Sequence, residues 1–308
     1  MKLTHIIEAQ QFDCLWLEEE FFPLVNEMEE VLKRGGSTVL KGKKMITFFE
    51  EPSTRTHISF HMAMYYLGGE VVYSTENAAD FSSRAKGENI EDTFRVLSCY
   101  RPDVIVLRTK EEGMAKIAAE YSSVPIINAG DGPGQHPTQA LLDLYTIIKE
   151  KNRIAGTSIA MCGDLSRGRT VRSLSYLLGK FPDVKIYFIA PEAAKMRDDI
   201  KEYLKRHDIW FTEGHDLRTV APLVDVIYQT RIQKERGDLL LRYEKEKGFY
   251  IINQEVVALM KKDAIIMHPL PRNEEISPEV DSDPRAAYFR QAANGLSVRM
   301  ALLKTILT

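Results

Sequence analysis

The stretch Glu51-Pro52-Ser53-Thr54-Arg55-Thr56 joins a short apolar run, residues 45–49, to a segment whose apolar residues have helical spacing. The hydroxyl-rich residues 53–56 therefore lie where a strand ends and a helix begins. Free backbone N–H groups and the positive end of the helix dipole favour an anion there, and Arg55 adds a planar fork that matches phosphate oxygens. We predict a phosphate-binding turn, with an ordinary Ser/Thr helix cap as the alternative. The predicted buried face of the helix consists of Ile58, Phe60, Met62, Ala63 and Tyr66.

The chain is 308 residues long, which suits two domains of about 150 residues each. Hydrophobic residues make up 44% and charged residues 28%, as in an ordinary globular enzyme. The formal net charge of −3 provides no broad basic field, so we expect neither nucleic acid nor a membrane surface as a partner. No apolar run in the sequence approaches the ~18–20 residues that span a bilayer.

Three cysteines, Cys14, Cys99 and Cys162, lie far apart in the sequence and form no Cys-x-x-Cys pair. We therefore expect no structural zinc or other metal, and we expect all three to be small buried apolar side chains. The N-terminal residues also lack the apolar core of a signal peptide. Free thiols and the missing signal peptide together predict a cytoplasmic protein.

Apolar runs and helical patterns alternate along the chain, an order typical of parallel sheets with helices on both faces. The predicted strands are 45–49, 70–74, 104–107, 124–128, 158–162, 185–189, 224–228 and 264–267. The predicted helices include 15–33, 90–99, 113–121, 170–178 and 193–207. The predicted fold class is α/β, with two domains, each a parallel sheet flanked by helices.

The two predicted domains are residues 1–135 and 136–294. A strongly helical segment, 137–151, begins with a proline and connects them. The last helix, 295–308, is expected to pack back on the first domain. We expect the active site in the cleft between the domains, because the carboxyl ends of parallel strands point into such clefts.

Polar motifs follow the predicted strands in both halves, and several of them contain arginine. Four arginines, Arg55, Arg108, Arg169 and Arg231, would then crowd one cleft. Such crowding costs free energy unless negative charges compensate it. We therefore infer that the ligands are anions with several negative charges.

These motifs resemble the aspartate/ornithine carbamoyltransferase family nearly end to end, from about residue 2 to residue 307. The motifs that carry the resemblance are Ser53-Thr54-Arg55-Thr56, Gln135-His136-Pro137-Thr138-Gln139, Thr230-Arg231-Ile232-Gln233 and His268-Pro269-Leu270-Pro271-Arg272. The resemblance implies transfer of a carbamoyl group from carbamoyl phosphate to the α-amino group of L-aspartate, in pyrimidine biosynthesis. It implies neither a metal nor an organic cofactor.

The resemblance implies a carbamoyl phosphate site in the first domain. Thr56, Arg108 and His136 would point at the carbamoyl oxygen, where negative charge develops as the amine attacks. The implied carbamoyl phosphate residues are Ser53, Thr54, Arg55, Thr56, Ser82, Lys86, Arg108, His136 and Gln139. The implied catalytic residues are Arg55, Thr56, Lys86, Arg108 and His136.

The resemblance also implies a homotrimer with active sites shared between subunits. In this family the loop that matches Ser82 and Lys86 reaches into the neighbouring subunit's site. The alternative interpretation of Arg84 and Lys86 is that they are ordinary loop charges. The presence of separate regulatory chains stays open at this point.

The implied aspartate site combines that loop with the second domain. Two arginines suit the two carboxylates of aspartate, because each planar fork grips one carboxylate. Glu51 and Arg236 match an ion pair that helps to hold the aspartate-binding loop closed. The role of His268 stays open between the site and the structure. The implied aspartate-binding residues are Lys86, Arg169, Arg231, Gln233, Pro269 and Leu270.

Two features favour aspartate over ornithine as the acceptor. Ornithine enzymes of the family usually carry cysteine at the position of Pro269, and Arg231 suits a second carboxylate rather than an ammonium group. An inactive scaffold in a larger assembly and a carbamoyltransferase for another amine stay open as alternatives. The chain departs from the family pattern at Glu50, where an aromatic residue is common, and at His57, where arginine is common.

Overall fold

The computed structural model describes residues 3–231 and 250–308. The chain divides into two compact units, one formed by Met1–Leu141 with Asn294–Thr308 and the other by Leu142–Ala293. Each unit contains one parallel sheet with helices between its strands. The predicted α/β class is therefore confirmed.

In the described part of the chain the strands are β1 (Lys44–Phe49), β2 (Glu70–Thr75), β3 (Val104–Thr109), β4 (Ile126–Asp131), β5 (Ser158–Cys162), β6 (Lys185–Ile189), β7 (Trp210–Gly214), β8 (Val226–Gln229) and β9 (Ile265–Met267). The first unit has the strand order β2-β1-β3-β4, and the second has the order β7-β6-β5-β8-β9. All the neighbouring strands are parallel. Their carboxyl ends therefore lie at one edge of each sheet.

The described helices are α1 (Cys14–Trp16, Leu17–Phe21 and Phe22–Lys33), α2 (Thr54–Tyr66), α3 (Ala78–Phe81), α4 (Ile90–Cys99), α5 (Met114–Tyr121), α6 (Pro137–Lys151), α7 (Arg169–Leu178), α8 (Asp198–Arg206), α9 (Leu217–Val220), α10 (Gln254–Leu259) and α11 (Tyr288–Leu307). The middle piece of α1 is a π-helix. No helix within residues 3–231 and 250–308 is long and apolar enough to cross a membrane.

The central strands owe their apolar sequences to burial on both faces. Five of the six residues of β1, and every residue of β4, β5 and β8, are buried. A parallel sheet covered by helices on both faces requires such near-continuous apolar runs. Strand β7 lacks this pattern because it lies at a sheet edge and is half exposed, and its absence from the predicted strands was an error.

The predicted buried face of α2 was partly wrong. Ile58 and Met62 are 53% and 36% exposed, whereas Phe60, Ala63 and Met64 are fully buried. Residues 60, 63 and 64 share one face of a helix with 3.6 residues per turn, and residues 58 and 62 lie on another face. The predicted set therefore mixed two faces of the helix.

The three cysteines also differ from the prediction. Cys162 is buried in β5, and burial raises the pKa of its thiol, because a thiolate there would lose its hydration. Cys99 is exposed and Cys14 is half-buried. Only Cys162 therefore behaves as the predicted small apolar side chain.

Candidate active site

The turn between β1 and α2 has the geometry of an anion site. Ser53 is the residue before the first helical residue, with φ −156° and ψ 76°, and its side chain makes no capping hydrogen bond. Thr56 is buried, and Arg55 is exposed one residue earlier. An ordinary Ser cap would accept a hydrogen bond from the first helical turn, so the alternative of a simple cap loses its main contact.

Arg108 lies at the end of β3, next to this turn. In the sheet register Phe49 of β1 faces Arg108, and the Glu50 backbone N–H donates to the Arg108 carbonyl at 2.8 Å. The Arg108 Nη2 atom lies 2.7 Å from Glu51 Oε1, and Nη1 donates to the Ala129 carbonyl at 3.2 Å. The partner that the resemblance implies for Glu51, Arg236, lies outside the described residues.

His136 follows β4, the strand beside β3. The Gln135 backbone N–H donates to Asp131 Oδ1 at 2.6 Å, and this bond fixes the chain that leads into α6. His136 is 4% exposed, with its Nδ1 atom 3.4 Å from Thr138 Oγ1, and Gln139 follows as a buried residue. The structure therefore brings three motifs, residues 53–56, Arg108 and His136, to neighbouring strand ends of one sheet.

Ser82 and Lys86 occupy a compact turn after β2 and α3. Ser82 Oγ donates to the Ala78 carbonyl at 2.5 Å and accepts from the Arg84 backbone N–H at 3.1 Å. A 3-10 helix, Ser83–Lys86, follows, and Gly87 closes it with φ +91°. Lys86 itself is exposed.

In the second unit, the predicted residues that the structure describes lie in segments that follow strands β5, β8 and β9. Gly163 after β5 has φ +121°, and a Cβ atom there would lie 2.4 Å from the Thr230 carbonyl oxygen, so only glycine fits. The Thr230 backbone N–H donates to the Cys162 carbonyl at 2.8 Å, which aligns the ends of β5 and β8. Arg169 is the first residue of α7, and Arg231 directly follows Thr230.

The remaining predicted aspartate residues differ in what the structure describes. Pro269 and Leu270 are the second and third residues after β9, the neighbour of β8. Leu270 has φ +54°, a left-handed conformation that is uncommon for a leucine. Gln233 lies outside the described residues.

His268 is part of a buried hydrogen-bonded turn. Its Nδ1 atom accepts from the Leu270 backbone N–H at 2.7 Å, so the ring proton lies on Nε2 and is donated to Glu275 Oε1 at 2.9 Å. Burial would raise the pKa of Glu275, but hydrogen bonds from His268 and from the backbone outweigh it, so the pKa is lowered. These contacts indicate a structural role for His268, namely to shape the turn that carries Pro269 and Leu270.

We expect His268→Leu to destabilise the protein by about 3 kcal/mol, because the Glu275 carboxylate would stay buried without its imidazole donor. Urea unfolding measures this change. The matched control is His207→Leu in the same unit: this histidine is exposed, its Nδ1 atom lies 2.8 Å from the Tyr203 carbonyl, and the change should stay within about 1 kcal/mol. Equal stability of the two variants would contradict the structural role.

A cluster that contains two histidines, His57 and His61, lies on α2. His57 Nε2 and His61 Nε2 lie 3.1 Å and 3.0 Å from Thr47 Oγ1, and Ser74 Oγ lies 2.7 Å from His57 Nε2. Desolvation lowers the pKa of both histidines, the His57 ring lowers that of His61 further, and Glu76, 3.4 Å from His57 Nδ1, opposes the shift. The folded protein therefore favours neutral imidazoles here.

This cluster predicts a stability loss in mild acid. The unfolded chain binds protons near pH 6.5 while the folded chain resists them, so stability falls as the pH drops through that value. Each unit of pKa depression costs about 1.4 kcal/mol below both pKa values. We expect the wild type to lose more unfolding free energy between about pH 8 and pH 5 than His61→Gln does, and parallel pH profiles would contradict this.

The sequence predicted no functional role for two residues that contact each other in the structure. Glu50 was noted only as a departure and Arg84 only as a loop charge, yet they form an ion pair of 2.8 Å. A charged residue at the end of an apolar strand was the available signal, because it needs a partner when buried. Among the described residues no cluster of His, Cys, Asp and Glu side chains could hold a metal ion.

Comparison with known proteins identifies the family to which this chain belongs. A family model described as the aspartate/ornithine carbamoyltransferase carbamoyl-P binding domain matches residues 5–149, and one described as the Asp/Orn binding domain matches residues 155–306. An aspartate carbamoyltransferase of Arabidopsis thaliana is 56% identical over 99% of this chain and 78% of that protein. The aspartate carbamoyltransferase catalytic subunit of Methanocaldococcus jannaschii is 50% identical over 99% of this chain and 98% of that protein.

A solved structure resembles the whole chain. Aspartate transcarbamoylase of Trypanosoma cruzi, in complex with N-(phosphonacetyl)-L-aspartic acid, has a TM-score of 0.94 and 39% identity. The similarity covers 100% of this chain and 97% of that one. The likeness therefore extends to both sheets and to the helices between them.

The comparisons contradict the predicted cytoplasmic location. Relatives from Arabidopsis, pea and rice that are 54–56% identical to this chain are named chloroplastic. The prediction rested on the missing apolar signal peptide, but plastid transit peptides are amphipathic rather than apolar. The missing apolar signal peptide therefore does not argue against a plastid protein, and the cytoplasmic prediction is wrong.

Proposed function

Because the chain belongs to the aspartate/ornithine carbamoyltransferase family, we infer that it is an aspartate carbamoyltransferase. The enzyme transfers the carbamoyl group of carbamoyl phosphate to the amino group of L-aspartate, and the products are N-carbamoyl-L-aspartate and phosphate. The observation that carries this function is the meeting of residues 53–56, Arg108 and His136 at neighbouring strand ends. This arrangement suits an anionic substrate with one polarised carbonyl group.

We propose that the turn at residues 53–56 binds the phosphate group. Backbone N–H groups at the start of α2 and the hydroxyls of Ser53 and Thr54 supply donors, and Arg55 supplies a positive charge. The Ser53 side chain supports this proposal because it makes no capping hydrogen bond. Arg55 is an exposed residue beside this turn, so a ligand can reach it from solvent.

We assign Thr56, Arg108 and His136 to the carbamoyl oxygen, with Gln139 beside them. Attack by the amine turns the carbonyl carbon tetrahedral and places negative charge on this oxygen. Donors that are already fixed stabilise that charge more strongly than they stabilise the ground state. The burial of Thr56 and His136 supports the assignment, because fixed donors act most strongly where water is excluded.

We assign Arg169, Arg231, Gln233, Pro269 and Leu270 to aspartate. Arg169 begins α7 after β5, and Arg231 follows the adjacent strand β8; two arginines suit the two carboxylates of aspartate, one for each guanidinium fork. Proline in the His268-Pro269-Leu270-Pro271 turn supports aspartate over ornithine as the acceptor. The buried bonds of His268 hold this turn in place.

We propose that the enzyme is a homotrimer in which Ser82 and Lys86 serve the neighbouring subunit's site. Strand β2 is an edge strand with half-exposed Val72 and Tyr73, and helix α2 exposes Tyr65 to 71%. An open edge strand beside exposed apolar side chains is a typical protein–protein contact surface. Strand β2 leads through the short helix α3 into the turn that carries Ser82 and Lys86.

An assay with two acceptors tests the proposed function. Phosphate release and carbamoyl product are measured from carbamoyl phosphate, with L-aspartate and L-ornithine in parallel reactions. We expect turnover with aspartate alone. Turnover with ornithine would overturn the assignment of Arg231 and Pro269, and a folded protein inactive with both amines would overturn the enzymatic function.

A further inference from the structure

A buried carboxylate lies directly beside the phosphate-binding turn. Glu50 follows β1, and only 6% of its side chain is exposed. A carboxylate in this environment loses its hydration, and that loss costs free energy unless cations or N–H donors replace the water. Glu50 therefore depends on the parts of the chain that supply those donors.

Two different segments supply the donors. Arg84 Nε lies 2.8 Å from Glu50 Oε1, and the Lys110 backbone N–H donates to Oε2 at 3.3 Å. The Glu50 backbone N–H also donates to the Arg108 carbonyl at 2.8 Å. One residue thus joins the turn after β2 to the end of β3.

Arg84 also forms hydrogen bonds with residues of its own segment. Its backbone N–H donates to Ser82 Oγ at 3.1 Å, and its Nη1 atom donates to the Glu88 carbonyl at 2.6 Å. Ser83 Oγ closes the turn with a 2.5 Å bond to Glu88 Oε2. Because Ser82 and Lys86 flank Arg84 in this turn, fixing the Arg84 side chain fixes both of them.

We propose that Glu50 and Arg84 are positioning residues that hold the segment 82–86 ordered before a ligand binds. Ser82 and Lys86 then meet carbamoyl phosphate without the entropic cost of ordering their backbone. The catalytic part of this inference rests on the proposed function, which gives Ser82 and Lys86 their role. The ordering of the segment stands on the contacts alone.

Glu50→Gln keeps the shape of the side chain and removes its charge. When the competent conformation is populated only a fraction of the time, the apparent affinity falls by that fraction. We expect the KM for carbamoyl phosphate to rise about tenfold, with kcat within about twofold, because bound substrate restores the segment. Arg84→Ala should behave alike, and Arg84→Lys should recover part of the affinity because it keeps a cation near Glu50.

Limited proteolysis with trypsin measures how well the segment 82–86 is ordered when no substrate is present. The bond after Lys86 should be cut about tenfold faster in Glu50→Gln and in Arg84→Ala than in the wild type, because cleavage follows the population of the open state. Mass spectrometry identifies the cut. The matched control is Glu30→Gln, whose carboxylate pairs with Lys33 on an exposed face of α1 and should change neither cleavage nor KM.

The two readouts separate the possible failures. Cleavage after Lys86 at the wild-type rate in both variants overturns the positioning role, whether or not the enzyme is active. Faster cleavage with an unchanged KM also overturns it, because the ordered segment would then play no part in binding. A wild type inactive with both amines overturns the proposed function alone, since the cleavage readout remains.

Discussion

Replacing Arg108 by glutamine is expected to slow carbamoyl transfer by at least about a hundredfold, which corresponds to ~3 kcal/mol in the barrier. The carbamoyl oxygen gains negative charge as the amine attacks, and a fixed guanidinium stabilises that charge most in the transition state. Glutamine retains an N–H donor but no charge. The variant should therefore lose activity mainly through a lower kcat rather than through weaker substrate binding.

The geometry around Arg108 explains the size of this effect. The side chain is only 12% exposed, and it is held by the Ala129 carbonyl at 3.2 Å and by Glu51 at 2.7 Å. A donor that is held before the reaction needs no reorganisation during it.

Kinetics at saturating aspartate, together with thermal unfolding, measure the effect. The matched control is Arg95→Gln in the same unit, because Arg95 pairs with Asp92 on an exposed helix face and should keep normal activity. Thermal unfolding separates a lost donor from a destabilised fold. Activity of Arg108→Gln within tenfold of the wild type would contradict the assignment to the carbamoyl oxygen.

Mixing two inactive variants is expected to restore activity. Arg108→Gln removes a group from the subunit's own site, and Lys86→Gln removes a group that we assign to the neighbouring site. After joint dissociation and reassembly, some sites combine an intact Arg108 from one subunit with an intact Lys86 from another. Activity then rises from almost zero, which makes this a large and specific effect.

The expected size of the recovered activity follows from random assembly of the proposed trimer. Each site takes Arg108 from its own subunit and Lys86 from the neighbouring subunit. In an equal mixture a site is therefore intact only when its own subunit is the Lys86 variant and the neighbouring subunit is the Arg108 variant. We therefore expect about a quarter of wild-type activity. Each variant reassembled alone serves as the control. A mixture no more active than its components would contradict the shared site.

Much of the fold could be predicted because its signals are local. Buried parallel strands are continuous apolar runs, so a few residues were enough to predict each of the strands β1, β3 and β5. The turn at residues 53–56 was readable for the same reason, since strand, turn and helix follow one another directly. The family resemblance then supplied the site residues that no local pattern indicates.

The errors arise where tertiary packing decides the outcome. Strand β7 is half exposed at a sheet edge, so it carries no apolar run. The face of α2 that packs inward depends on how the helix lies on its sheet, and Ile58 and Met62 fell on the wrong side. The Glu50–Arg84 pair joins residues 34 positions apart, and each residue alone looked unremarkable.

The last helix has a consequence for the order of synthesis. Its residues from Asn294 onward belong to the first unit, where Arg299 lies over the Phe60 ring at 5.3 Å and Lys304 pairs with Glu27 at 2.8 Å. A ribosome that has completed the first 141 residues has not yet made this part of their core. The first unit is therefore completed only after residues 294–308 have left the exit tunnel, later than the second unit.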